Sequence, residues 1–124
     1  MDADLFWTLL DDLSGLGKLV AAVPSDGASA NLVGRLRLGR DGGERVLERP
    51  ECRCHIHLQP ERVHSFRFTL RDPGFGPEPC VEALTAEGHL AMRLYYLGEE
   101  DAPAACRAFL ARHAAHAACF EGSW

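Results

Sequence analysis

Apolar residues in the first fourteen positions recur with a helical period. Leu5, Phe6, Leu9, Leu10 and Leu13 follow i, i+3, i+4 spacing, so residues 4–14 are predicted to form an amphipathic helix with one buried stripe. Asp2 or Asp4 caps its start, and Gly15 and Gly17 end it. From Lys18 the period shortens. Residues 19–23 read as a short apolar strand, followed by turn chemistry at Pro24, Ser25, Asp26 and Gly27. Residues 29–38 alternate in their second half, with Leu36 and Leu38 on one face and Arg35 and Arg37 on the other. Arg40, Asp41, Gly42 and Gly43 form the clearest hairpin turn of the chain, and residues 45–47 a short strand that stops before Pro50.

Two further hairpins are expected. Residues 52–58 and 63–70 pair around Gln59, Pro60, Glu61 and Arg62. Residues 71–79, with three prolines and two glycines, form a loop. Residues 81–86 and 90–97 then pair around Ala86, Glu87, Gly88 and His89, with Leu90, Met92, Leu94 and Tyr96 on one face of the second strand. Gly98 ends the sheet, and Glu99, Glu100 and Asp101 make an acidic run that suits a helix start. Asp101 and Pro103 open a helix reaching to about residue 118, and the last four residues are expected to fray. A helix, consecutive hairpins and a helix, without a strand–helix–strand crossover, describe an α+β class with an antiparallel, split-barrel-like β-sheet. The expectation is a single domain over residues 1–124.

Composition narrows the function. The chain has 124 residues, 47% hydrophobic and 25% charged, which excludes disorder, collagen-like repeats and coiled coil. Thirteen Lys and Arg against eighteen Asp and Glu give a net charge of -5, the wrong field for a nucleic-acid binder. No window approaches the ~20 apolar residues of a membrane span, and the first residues lack the basic region of a secretory signal. The expectation is a soluble, cytoplasmic protein with no membrane partner. The five cysteines are odd in number and irregularly spaced, so reduced thiols are expected, with Cys106 and Cys119 acting as small hydrophobes in the last helical segment. Phosphate loops, nucleophile elbows and zinc-protease motifs are all absent, so no motif nominates an enzyme.

The candidate chemistry lies in Cys52, Arg53, Cys54, His55, Ile56 and His57. On a strand, alternation sends Cys52, Cys54 and Ile56 to one face and Arg53, His55 and His57 to the other, which does not build a Cys2His2 tetrahedron, and the second ligand pair of a zinc finger is missing. The histidine face remains. With Pro60 and Glu61 as the hairpin tip, Leu58 pairs with Val63, His57 with His64, and His55 with Phe66. One face then carries His55, His57, His64, Phe66 and Phe68: imidazoles beside aromatic rings, a surface suited to a haem or related tetrapyrrole. The same residues also read as an ordinary half-solvated sheet face, or as a two- or three-histidine divalent-metal site. His113 and His116, at i and i+3, share a helix face near a C-terminus that favours positive charge.

The stretch from His57 through Phe68, the Gly/Pro loop, and then Glu87, Gly88, His89, Leu90, Ala91, Met92, Leu97 and Gly98, followed by Phe109 and Leu110, resembles the haem-utilisation proteins of the ChuX/HutX type and their short single-domain relatives. The likeness spans roughly residues 4–112. It implies the HemS/ChuS/ChuX-like haem-utilisation fold, a homodimer, and non-covalent haem binding as a cytosolic carrier or reservoir in haem and iron utilisation. It places His57 as the leading axial ligand and His64 as the second. Arg93 is the surviving basic residue for the haem propionates, while Leu94, Tyr96 and Glu99 stand where other basic residues are usual. Two alternatives stand beside it: a dimeric interaction module that has lost the ligand, and a divalent-metal binder using His55 and His57.

Overall fold

The computed structural model describes residues 1–72, 74, 76–97 and 101–124. The chain opens with helix α1 (Ala3–Ser14), capped by the Asp2 carboxylate, which accepts from the backbone N–H groups of Asp4 and Leu5 at 2.7 and 3.2 Å. Its stripe is buried as the period predicts, with Phe6, Leu9, Leu10 and Leu13 at 0% exposure. Strands β1 (Leu19–Ser25), β2 (Ala28–Gly34), β3 (Arg37–Asp41), β4 (Glu44–Arg49) and β5 (Cys54–His57) follow. After them come β6 (Ser65–Arg71), β7 (Glu78–Leu84), β8 (Leu90–Tyr96), helix α2 (Ala102–Arg112) and β9 (Phe120–Gly122). Single 3-10 turns lie at Pro50–Cys52 and Pro60–Arg62, and two more, kinked at His116, span Ala114–Cys119.

The strands form two sheets. One has six strands in the order β2-β1-β8-β7-β6-β9, the other three in the order β3-β4-β5. The core face of the larger sheet carries Phe66 and Phe68 of β6, Val81 and Ala83 of β7, and Met92, Leu94 and Tyr96 of β8, all 2% exposed or less. Both helices cover this face: Phe6 of α1 stacks on Phe66 (centroids 5.9 Å apart, planes 15° apart), and Phe109 of α2 meets Phe68 edge-on at 6.0 Å. Asp12 of α1 receives Arg112 at 2.7 Å and His113 at 2.6 Å, which ties the helix ends together. Burial works to raise the Asp12 carboxyl, but the hydrogen bonds from Arg112 and His113 outweigh it and hold the group below the usual carboxylate range. Among the described residues no helix is long and apolar enough to cross a membrane.

Several expectations need correction. The run 29–38 is not one strand. Gly34, at φ 140°, lets the backbone leave the large sheet, and β3 begins the small one. The expected hairpin of residues 52–58 with 63–70 does not form, because β5 pairs with β4 (Val46 opposite His57, Leu47 opposite Ile56) while β6 pairs with β7. The pairings of His57 with His64 and of His55 with Phe66 are therefore overturned. The cause lies in the turn: a two-residue hairpin needs positive φ at its first central residue, and the Pro60 ring fixes φ negative. Residues 60–62 instead take a 3-10 turn closed by the Val63 N–H donating to the Pro60 carbonyl at 3.0 Å, and the chain crosses from one sheet to the other.

The expected loop over 71–79 is shorter than read, since β6 includes Arg71 and β7 starts at Glu78; Pro73 and Phe75 lie outside the described residues, as do Gly98, Glu99 and Glu100. The third hairpin forms, with a register shift between Ala83 and Leu84. Asp101 sits at the N-cap of α2 without a side-chain capping bond, and α2 stops at Arg112, six residues short of the expected end. The tail does not fray. Strand β9 pairs parallel with β6, which makes the sheet mixed, and the Trp124 indole N–H donates to the Cys80 carbonyl at 3.3 Å. Of the thiols, Cys80, Cys106 and Cys119 are free, but Cys52 and Cys54 are joined in a disulfide; their Cα atoms lie 5.2 Å apart, within bridging range. Burial pushes the Cys80 thiol up to about 11 and the Cys106 thiol up to about 12, as suits inert core cysteines.

One buried polar contact joins the first helix to the large sheet: the Tyr96 hydroxyl donates to the Leu13 carbonyl at 2.7 Å. Tyr96→Phe removes that bond and leaves the Leu13 carbonyl only the longer one from the Leu16 N–H at 3.3 Å, so it is expected to destabilise the fold by about 0.5–1.5 kcal/mol. In urea denaturation this reads as a lower midpoint at unchanged slope.

Candidate functional site

The short β5 strand places two imidazoles on one face of the small sheet. Alternation puts His55 and His57 on the same side, and pairing with β4 carries them toward the tip of the β3–β4 hairpin, where Asp41 and Glu44 face each other. His57 Nε2 lies 3.1 Å from Asp41 Oδ2 and its Nδ1 3.2 Å from Glu44 Oε2. His55 Nε2 lies 3.3 Å from the same Asp41 oxygen, and its Nδ1 3.2 Å from the Arg53 carbonyl. The rings stand edge-on with centroids 5.0 Å apart. All four side chains are solvent-accessible, His57 being 49% exposed.

His57 also stands between two clefts. The first, of about 280 Å³, runs between the sheets and is walled by Val23, Leu58, Val63 and Ala91, with Arg62 and Thr85 on its rim. The second, of about 440 Å³, opens toward Trp7, Arg40, Arg45 and Glu61 and is more polar. The residues on either side of the Pro60 turn thus line an apolar slot together with His57 and Arg62.

The other residues singled out from sequence are not gathered at this slot. His64 is exposed beyond the turn, its backbone N–H donating to the Leu84 carbonyl at 2.7 Å. Phe66 and Phe68 point into the core, where Phe68 packs on Phe109, Phe120 and Trp124. Arg93 lies on the opposite face of β8 from Met92 and Leu94 and donates to Glu82 through Nε (3.0 Å) and Nη2 (2.7 Å). Arg67 donates to the other Glu82 oxygen at 3.0 Å. Asp41, Glu44 and Arg62 were missed as site residues. The first belonged to the most recognisable turn of the chain, and only the β4–β5 pairing reveals what that turn faces.

The fold now has known counterparts. ChuX, a haem-binding protein, superposes with a TM-score of 0.65 at 16% identity, over 94% of this chain and 75% of ChuX. ChuS, an E. coli haem oxygenase, superposes with a TM-score of 0.61 at 18% identity, over 87% of this chain and 33% of ChuS. PhuS, a haem-binding protein from Pseudomonas aeruginosa, does so with a TM-score of 0.57 at 15% identity, over 81% and 29%. No protein-family model and no curated protein matches the sequence. The chain therefore has the haem-utilisation fold, as its motifs led us to expect.

Glu82, 3% exposed beneath its arginines, gives a pH test. Burial works to raise its carboxyl, but hydrogen bonds from Arg93 and Arg67 outweigh this and hold it below the usual carboxylate range. A depressed folded pKa contributes stability that is present above the unfolded value of about 4.3 and is lost as pH falls through the folded one. Glu82→Gln is expected to lower the melting temperature at neutral pH and to flatten its decline between about pH 5 and 2.

Proposed function

We propose that this protein binds haem or a closely related tetrapyrrole non-covalently as a carrier or reservoir in haem utilisation, with His57 as the iron ligand. The single observation that supports this most is the inter-sheet slot: a half-exposed imidazole, apolar walls from Val23, Leu58, Val63 and Ala91, and Arg62 at the rim. These are the three things a haem asks of a protein, namely an axial nitrogen, a greasy flank for the macrocycle and a cation for a propionate. The fold shared with haem-binding ChuX and PhuS supports the same reading. When bound, the haem supplies a Lewis-acidic iron that accepts the His57 nitrogen. The chain's part is to hold that ring beside the slot: strand pairing with β4 fixes the backbone of His57, Glu44 holds its Nδ1, and Nε2 would turn from Asp41, 3.1 Å away, to take the iron.

The proposal includes a homodimer. Strand β2 forms one edge of the large sheet, with most of its residues exposed, and an isologous partner would cover such an edge. Light scattering is expected to give twice the chain mass; the monomer mass would remove this part.

Haemin titration tests the assignment. A saturable Soret shift is expected for the wild type and for His64→Ala. His57→Ala should weaken binding at least tenfold or change the ligation spectrum, and Arg62→Ala should weaken it several-fold. No Soret shift, or the same shift in His57→Ala, overturns His57 ligation.

A further inference from the structure

We propose that Asp41, His55 and His57 form a site for one divalent first-row transition-metal ion of the zinc, nickel or cobalt class. The proposal does not depend on the haem reading. It starts from where the donor atoms point. Both imidazole Nε2 atoms converge on one oxygen, Asp41 Oδ2, at 3.3 and 3.1 Å, and one ligand atom from each of the three residues lies within 4.8 Å of the others. Donors about 2.0–2.2 Å from a common metal are separated by roughly 2.8–3.6 Å in octahedral or tetrahedral arrangements. The two nitrogen–oxygen separations already have that size and the two imidazoles lie within 4.8 Å of each other at their ligand atoms, so an ion enters by drawing exposed side chains together.

The outer contacts point the same way. A backbone carbonyl oxygen can only accept, so the His55 Nδ1 facing the Arg53 carbonyl carries the hydrogen, leaving the Nε2 lone pair for a metal. Glu44 faces His57 Nδ1 at 3.2 Å and completes a carboxylate–histidine–metal relay. Both rings are thus held by their rear nitrogens with the front nitrogens aimed at one point. An ordinary surface ion pair needs one imidazole for one carboxylate. Strand alternation sets the two rings side by side, with centroids 5.0 Å apart, and the hairpin tip sets one carboxylate oxygen before both.

The donor set also selects the ion. Two imidazoles and a carboxylate suit zinc, nickel, cobalt or copper, whereas calcium and magnesium seek all-oxygen shells. Three protein ligands on an open surface leave further positions for water or a small exogenous ligand. Because His57 also borders the apolar slot, metal and haem compete for its Nε2, whereas His55 and Asp41 belong to the metal site alone.

Calorimetric titration of the untagged, chelator-treated full chain with zinc chloride or nickel chloride tests this, with magnesium chloride as control. One ion per chain is expected for zinc and nickel, none for magnesium, and the zinc-loaded protein should melt several degrees higher. His55→Ala and Asp41→Asn should each weaken binding tenfold or more, with unchanged far-UV circular dichroism and an unchanged haemin Soret shift. His57→Ala should remove both ligands. Absence of saturable zinc or nickel binding overturns the proposal, as does binding equal in wild type, His55→Ala and Asp41→Asn. So does uptake that survives those changes but is lost when Cys52 and Cys54 are replaced by serine. The haem assignment fails separately, through the haemin titration, and leaves a positive metal result standing.

Discussion

The geometry of both candidate sites depends on one backbone constraint, the refusal of Pro60 to enter a tight hairpin. A ring-locked negative φ and a missing N–H deny the chain the turn that would fold β5 back onto β6. The chain therefore takes a 3-10 turn and changes sheets, and β5 pairs with β4. This pairing brings His55 and His57 to the acidic tip of the β3–β4 hairpin, and the crossing itself opens the slot between the sheets.

The rest of the molecule is a rigid support for that crossing. Phe66 and Phe68 supply aromatic mass to the core, where each fully buried aliphatic or phenyl side chain contributes about 1.5–3 kcal/mol relative to an exposed one. The opposite face of the same strands handles charge, with Glu82 enclosed by Arg67, Arg71 and Arg93. A carboxylate so enclosed tolerates burial because each oxygen has a guanidinium partner, and removing a partner would leave a buried charge uncompensated. Arg93 is thus already engaged in the sheet's own charge balance. Arg62, placed by the Pro60 turn, is the cation beside the slot.

Local signals in the sequence were read well where one interaction decides the outcome. The α1 stripe and its Asp2 cap, the Asp41–Gly42–Gly43 turn and the hairpin of β7 with β8 all follow from spacing and turn chemistry. Strand parity also placed His55 and His57 on one face. Partner choice was not local, and there the reading failed. Residues 45–47 read only as a short strand stopping before Pro50, yet β4 runs over Glu44–Arg49 and is the central strand of the small sheet. Three residues of tail gave no periodic signal, yet Phe120 packs on Phe68 and Phe109 and brings β9 alongside β6. The carboxylates facing the histidines were legible only as turn residues, because which strand faces a turn is set by tertiary packing.

Cross-strand NOEs measured on the isotopically labelled chain test the central pairing most directly. Contacts between the backbones of His57 and Val46, and of His55 and Glu48, are the result this account predicts. Backbone contacts between His57 and His64, or between His55 and Phe66, would put the two histidine-bearing segments in one ribbon and contradict it.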